Sequence, residues 1–226
     1  MLTVVRHGPT KFNGVSGTGD MSTDRIRGWA DIPLSPEGTI IAKNVGKSFK
    51  GVSISHIYTS DLARALDTAK QIEKNTGAPM TVNKDFRPWG LGSFSGHKVS
   101  EVQSKINALM KHPDQPAPDG ESLNEFLSRF IKAVWPLFSA SGHVVLVSHA
   151  RNIAVLLGLV QTHGEEFDPS YLGSASSVEP GGRLIIQPDW SYSIESAHEQ
   201  KETEPASDIH KVSVVGLDLA IDTGSK

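Results

Sequence analysis

The order of elements in this sequence predicts an α/β fold, a three-layer α/β/α sandwich around a largely parallel central sheet. Two observations carry that expectation. Short apolar runs alternate with amphipathic helical segments, as in successive strand–helix units. Three of the runs also break at turns bearing arginine, histidine or serine, the pattern of strands whose carboxyl ends open onto a crevice. Residues 1–226 are expected to form one domain, long enough to bury a sizeable core.

Residues 2–5 are a buried strand that stops at Arg6-His7-Gly8-Pro9. A long loop over 13–24 follows, and its Gly14, Gly17 and Gly19 among Ser, Thr and Asp suit a mobile surface segment near Arg6 and His7. Ser35-Pro36-Glu37 supplies the N-cap, N1 proline and first-turn acid of a helix. Its buried stripe is expected to be Ile40, Ile41, Val45 and Phe49, with a stop at Lys50-Gly51. Residues 54–59 are a strand, after which Ser60-Asp61 caps a helix with Leu62, Ala65, Leu66, Ala69 and Ile72 on one face, closed by Gly77. Arg64 sits in its first turn.

Residues 80–83 are a further strand, and 86–96, with one proline and several glycines, an irregular loop. Val99, Val102, Ile106 and Leu109 mark the next helix. The three prolines of 112–120 oppose regular structure, and Glu121-Ser122 then opens a helix carrying Leu123, Phe126, Leu127, Phe130, Ile131 and Val134, which Pro136 is expected to kink or end. His143 to Ser148 reads as the clearest buried strand. It breaks at His149-Ala150-Arg151-Asn152 before an apolar helix over 153–160. Late strands are expected over 183–187 and 211–217, separated by a polar, acid-rich, flexible arm over 194–208.

Composition excludes several function classes. With 22 Lys+Arg against 25 Asp+Glu the formal charge is −3, so no global basic field favours nucleic acid or an anionic membrane, and any anion site must be local. The absence of cysteine removes disulfide scaffolds, thiolate zinc sites, iron–sulfur clusters and thiol nucleophiles. Met1-Leu-Thr-Val-Val-Arg6 reaches a charge too early for a secretory signal, and the apolar stretch 153–160 is far shorter than the roughly 20 residues that span a bilayer. A cytoplasmic location is the resulting expectation.

Arg6-His7, Arg64 and Ser148-His149 all fall at or just after predicted strand ends, so one crevice collects two imidazoles and two guanidiniums. This set is poor for a metal, because the arginines repel a cation and no His-Glu-x-x-His spacing is present. It suits a dianion. Arginine presents paired donors matched to phosphate oxygens, and histidine alone in the group is a neutral nucleophile near pH 7. The other histidines (His56, His97, His112, His143, His163, His198 and His210) show no ligand spacing, and Gly90, Gly92 and Gly96 lack a Walker lysine. Trp29, Trp89 and Phe94 are read first as packing residues. No metal and no cofactor are expected.

The stretch Leu2-Thr-Val-Val-Arg6-His7-Gly8-Pro9-Thr10 with Asn13 resembles the opening of the histidine phosphatase superfamily, the phosphoglycerate mutase-like branch. Arg25-Ile-Arg-Gly28-Trp-Ala-Asp31-Ile-Pro33-Leu34-Ser-Pro-Glu-Gly38 resembles its second block, and Tyr58-Thr-Ser60-Asp61-Leu-Ala-Arg64-Ala-Leu-Asp-Thr68-Ala69 its third. Asp119-Gly-Glu121-Ser122 and Val147-Ser148-His149 complete a series, in family order, over about residues 1–160. The resemblance implies that His7 attacks phosphorus while Arg6, Arg64 and His149 hold the phosphoryl oxygens. Thr10, Asn13 and Arg87 are implied substrate-binding residues. Three departures stand out: Pro88 where the family's proton-donating glutamate usually follows the arginine, Ala150-Arg151 where relatives carry glycine, and a longer 13–24 loop. Glu121 is the first candidate for the missing acid, ahead of Asp85 and Asp31.

The leading expectation is therefore a phosphomonoesterase acting through a phosphohistidine on a phosphorylated small molecule. The alternatives are a phosphate-binding or interaction protein with weak or lost turnover, motivated by Pro88, and a phosphoglycerate mutase-like phosphotransferase. No nucleic-acid or membrane partner is expected, and a homo-oligomer is compatible with the sequence.

Overall fold

The computed structural model describes residues 1–13, 23–164, 167, 169–172 and 178–197. Six strands, β1 (Leu2–Arg6), β2 (His56–Thr59), β3 (Met80–Val82), β4 (Val144–Ser148), β5 (Arg183–Ile186) and β6 (Tyr192–Glu195), form one sheet in the order β3-β2-β4-β1-β5-β6. The β3-β2-β4-β1 portion is parallel, and β5 and β6 add antiparallel pairings at one side. The helices are α1 (Pro36–Ser48), α2 (Ala63–Thr76), α3 (Val99–Lys111), α4 (Leu123–Phe138) and α5 (Ala150–Gln161).

The strand period of two sorts the side chains into layers. Val5, Val145 and Val147 point to one face and pack with Val45 of α1 and Ala65, Ala69 and Ile72 of α2. Leu2, Val4, Val144 and Leu146 point to the other, against α3, α4 and α5 through Val102, Ile106, Phe126, Phe130, Val134 and Val155. All of β4 is buried, as a strand covered on both faces must be. This is the α/β/α sandwich expected from the sequence.

Helix α1 begins as expected, with Ser35 Oγ accepting from the Gly38 amide at 3.0 Å and Pro36 in the first turn. Val45 and Phe49 of the expected stripe are buried and Ile41 packs against that cluster, but Ile40 departs from it. Ile40 is 60% exposed, and the inner face is made of Gly38, Ala42, Val45 and Gly46. The reason is close helix packing: a Cβ on Gly46 would lie 2.4 Å from the Gln71 carbonyl oxygen of α2. Small residues, rather than the largest apolar ones, mark the contact.

Helix α2 is capped from a distance. Neither Ser60 nor Asp61 caps it; Asp31 Oδ1 accepts from the Ala63 amide at 2.7 Å, while Asp61 faces Arg87. Gly77 closes the helix in the left-handed region, φ +69°. Pro136 does not end α4, which runs on to Phe138; the proline is exposed, so the ladder bond it removes is on the solvent side.

Ile194 and Glu195, expected in a flexible arm, complete β6. The β5–β6 turn is set by Asp189, whose Oδ1 accepts from the Ser191 amide at 3.0 Å and its hydroxyl at 2.6 Å, with Trp190 at φ +66°. The expected strand over 211–217, residues 198–208 of the arm, and nearly all of the glycine-rich loop after Asn13 lie outside the described residues.

The turn after β1 depends on two glycines in close approach. A Cβ on Gly38 would lie 1.9 Å from the Pro9 carbonyl oxygen, and one on Gly8 would lie 2.7 Å from that of Gly38. Gly38→Ala is therefore expected to destabilise the protein by about 1–3 kcal/mol in urea denaturation, although alanine normally stabilises a helix over glycine by about 1 kcal/mol. A neutral or stabilising result would show that this turn yields easily.

Candidate active site

Parallel pairing brings the site residues together. β1 and β4 are adjacent with Arg6 opposite Ser148, so the residues that leave these strands, His7 and His149, emerge side by side. Their rings lie 5.1 Å apart between centroids in an edge-on arrangement, and both are almost fully buried. On the other side of β4, Thr59 of β2 pairs with Val147, and the next residue, Ser60, places its hydroxyl 2.8 Å from His149 Nε2. The short turn after β2 then delivers Arg64, buried in the first turn of α2.

His7 Nδ1 lies 2.7 Å from the Gly8 carbonyl oxygen. A carbonyl only accepts, so Nδ1 carries the proton and Nε2 keeps its lone pair. Burial holds the His7 pKa well below the ordinary imidazole value. The guanidiniums of Arg64, Arg27 and Arg6 add to that, while the bond to Gly8 opposes it. His149 is lowered likewise, first by burial and then by Arg64, His7, Arg27 and Arg6.

The arginines are desolvated but anchored. Arg64 Nη1 and Nη2 donate to the Ala30 and Gly28 carbonyls at 2.9 and 3.0 Å, and burial, followed by Arg27, lowers its pKa to about 9. Arg6 Nη1 donates to the Val178 carbonyl at 2.7 Å, and burial, followed by Arg27, lowers its pKa to about 10. Both stay charged near neutrality. Thr68 links the two sides of the site: its hydroxyl donates to the Arg64 carbonyl at 2.8 Å and accepts from the Gly8 amide at 3.3 Å.

Four buried nitrogens around His7 have no hydrogen-bond partner: Arg6 Nε, Arg27 Nη1, Arg64 Nε and His149 Nδ1. An unmade bond from a buried donor costs roughly 1–3 kcal/mol, more when the group is charged. Several such donors in one electrostatically coupled cluster are the mark of a site built for an anion. Among the described residues no three His, Asp or Glu side chains form a cluster suited to a metal ion.

The other candidates from the sequence have partners of their own. Arg87 makes a two-point pair with Asp61 at 2.7 and 2.6 Å and stacks over Trp29. Thr10 donates to Asn13 Oδ1 through both amide and hydroxyl, at 2.9 and 3.1 Å, so these two close a local turn. Glu121 precedes α4 rather than lying in its first turn; Ser122 is the N-cap and Glu125 completes the capping box. Both Glu121 oxygens accept from Arg129, at 2.6 and 2.8 Å, and one also accepts from the Gly90 amide at 2.7 Å. Asp31 caps α2, and the Asp85 backbone carbonyl accepts from Arg129.

With this geometry, the comparison with known proteins is direct. The sequence matches the histidine phosphatase superfamily, branch 1, over residues 2–179. The chain belongs to this superfamily. Among curated relatives of this histidine phosphatase superfamily member, one named "Probable phosphoglycerate mutase GpmB" from Proteus mirabilis is 29% identical over 164 residues, covering 70% of this chain and 73% of that one. The crystal structure of a phosphoglycerate mutase from Thermus thermophilus is 26% identical, with a TM-score of 0.59 over 82% of this chain and 91% of that one. A mycobacterial glucosyl-3-phosphoglycerate phosphatase has the same fold at 22% identity, with a TM-score of 0.65 over 86% and 96% of the two chains. Among the described residues, no helix is long and apolar enough to cross a membrane.

Two residues beside the histidines escape a reading of the sequence. Ser60 reads as a helix cap, and only the β2–β4 register reveals it as the partner of His149. Arg27 lies within the second family block, and its one signal is a second arginine directly before Gly28.

Because His7 and His149 are neutral in the fold, while unfolded imidazoles titrate near 6.5, the unfolded chain binds more protons below that pH. His143, lowered to about 4 by burial and then by the amino terminus and Arg183, acts in the same direction. Stability is therefore expected to be level above about pH 6.5 and to fall as pH drops below it, by about 1.4 kcal/mol per pH unit for each histidine that stays neutral. Unfolding midpoints from pH 8 to pH 5 check this, and a level profile would mean that the imidazoles are protonated in the fold.

A separate expectation concerns Glu121. Glu121→Gln removes the charge facing Arg129 and should cost about 1–3 kcal/mol in denaturant unfolding; an unchanged unfolding midpoint would show that this ion pair does not hold the loop.

Proposed function

We propose that this protein is a phosphomonoesterase that acts through a phosphohistidine formed on His7, with a phosphorylated small molecule as substrate. The observation that carries the reading is the set of unpartnered buried donors around a neutral imidazole. Phosphoryl transfer is accelerated mainly by positioning and by stabilising charge on the equatorial oxygens. Arg6 Nε, Arg64 Nε and His149 Nδ1 are donors suited to those oxygens, with Ser60 O–H donating to His149 Nε2 to keep the proton on Nδ1.

In the first step the lone pair of His7 Nε2 forms the N–P bond as the ester P–O bond breaks, and the leaving oxygen departs with the bonding pair and takes its proton from water; the proton that the attacking water loses in the second step restores the balance. In the second, water attacks phosphorus, the N–P bond breaks, and inorganic phosphate departs with His7 restored. The Gly8 carbonyl holds Nδ1–H through both steps, so the ring needs no reorientation.

Glu121 is assigned a structural role in this reading, since both of its oxygens are engaged by Arg129. Without an acid at Pro88, esters with good leaving groups should be the better substrates, general-acid help being worth about 10²–10⁴-fold. The phosphotransferase reading draws on the mutase names of the relatives, and it requires a second hydroxyl as acceptor in place of water.

The test is release of alcohol from an activated aryl phosphate without added metal. His7→Ala should lose at least about 10³-fold in kcat/KM with the fold intact, and Arg64→Ala about 10²–10³-fold, the cost of one oxyanion donor. Wild-type enzyme quenched during turnover should carry an acid-labile phosphoryl label that His7→Ala lacks. Near wild-type turnover by His7→Ala would remove the mechanism.

A further inference from the structure

The arginines of this chain differ in how they are satisfied. Arg129 makes five hydrogen bonds, to Glu121 and to the carbonyls of Asp85, Arg87 and Pro88. Arg64 has two carbonyl partners, Arg87 has a carboxylate, Arg6 and Arg151 each have a carbonyl, and Arg183 has the Ser48 hydroxyl and Glu195. Arg27 is the exception: its guanidinium is buried, its Nη1 has no partner, and no described residue accepts a hydrogen bond from it.

Burying an unpaired cation is strongly unfavourable, so its retention needs a cause. Packing is a poor one, because an apolar side chain would fill the same space without that cost. The groups that Arg27 acts on are those of the site: it depresses the protonation of His7, His149, Arg6 and Arg64 alike. The segment that carries it is also seated against the site, since Arg64 donates to the carbonyls of Gly28 and Ala30, one and three positions after Arg27. Among the described residues Asp24 is the carboxylate that acts on Arg27, and it acts on Arg6 as well, so it offsets charge across the cluster without occupying the Nη1 donor.

Resting on the phosphatase reading above, we infer that Arg27 is a further catalytic residue, a third guanidinium that donates through Nη1 to an oxygen of the phosphoryl group being transferred. Arg6, Arg64 and His149 offer one free donor for each of the three equatorial oxygens, and Arg27 adds a fourth. Each oxygen has more than one lone pair, so the four donors are compatible with one phosphoryl group. In a loose transition state, where charge spreads over those oxygens, the extra guanidinium acts on the group that gains most from it.

The test compares Arg27→Gln and Arg27→Lys with wild type in three measurements: calorimetric binding of inorganic phosphate, kcat/KM for an aryl phosphate, and the melting temperature without ligand. Arg27→Gln should weaken phosphate binding at least about tenfold and lower kcat/KM about 10²-fold, with the ligand-free melting temperature unchanged or raised. Arg27→Lys should recover part of both losses. Should Arg27→Gln fail to fold, Arg27→Lys must by itself weaken phosphate binding several-fold, because an ammonium lacks the guanidinium's fork. Phosphate affinity and kcat/KM within twofold of wild type would overturn the assignment, as would a fall in melting temperature with phosphate affinity intact. Wild-type protein that neither binds phosphate nor cleaves the ester would overturn the functional reading as well, which separates the two failures.

Discussion

The parallel pairing of β1 with β4, in the register that sets Arg6 opposite Ser148, puts two chain exits side by side at one edge of the sheet. From that pairing the site follows. His7 and His149 leave adjacent strands at the same level, and Ser60 leaves β2 one strand further on, against His149. A slip of one residue between β1 and β4 would reverse the faces of Val4 and Val5 and with them both halves of the core. The register that buries Leu2 and Val4 under α3 to α5, and Val5 under α1 and α2, is thus the same register that pairs the imidazoles. Stability and site geometry are enforced by one set of contacts, so the histidines need little support of their own.

What those contacts must sustain is a concentration of positive charge in a dry place. Three guanidiniums and two imidazoles sit within mutual electrostatic range, and the fold answers by deprotonating the imidazoles and by tying two of the guanidiniums to backbone carbonyls. The carbonyls of Gly28 and Ala30 come from the segment that carries Arg27, so this stretch both restrains Arg64 and brings in a further cation. Asp24, Asp31 and Glu179 offset part of the field. The remaining free donors are unspent capacity: the dianion of the proposed reaction would satisfy them together, without the solvent reorganisation that water would require.

Much of this was legible in the sequence, and the exceptions share one cause. Strand ends are local features, so Arg6, His7, Arg64 and His149 announce themselves by apolar runs that break at polar turns. Ser35-Pro36 and Gly77 are likewise local punctuation. Non-local partners leave no such trace. Asp31 caps α2 across 32 positions, and Arg129 reaches from the second turn of α4 back to Glu121 and to a loop more than 40 residues earlier. Glu121 reads as a first-turn acid because the sequence alone does not reveal that reach. Ile40 reads as buried because size is visible in the sequence, whereas the glycine-mediated approach of α1 to α2 is not. The expected strand over 211–217 and most of the long loop after Asn13 fall outside the described residues.

The loop around Pro88 shapes what chemistry the site can favour. It is pinned from three directions: Arg129 takes the carbonyls of Asp85, Arg87 and Pro88, Trp29 Nε1 takes that of Pro88 as well, and Asn152 of α5 takes those of Phe86 and Arg87. Trp29 is in turn covered by the guanidiniums of Arg87 and Arg129. A carboxylic acid at such a position would be well placed by its backbone; proline offers no proton. In the proposed reaction, with His7 as nucleophile, the cationic pocket would act on the equatorial oxygens and leave the departing oxygen to its own acidity. In a loose transition state that oxygen has gained much of its negative charge by the time the bond breaks, so the absent acid is felt at the leaving group and hardly at all in phosphoryl binding. The proposed third guanidinium would stabilise the transferred group but protonate nothing. The rate of the first step should therefore follow the acidity of the leaving alcohol, whereas breakdown of the phosphohistidine, common to every substrate, should not depend on it.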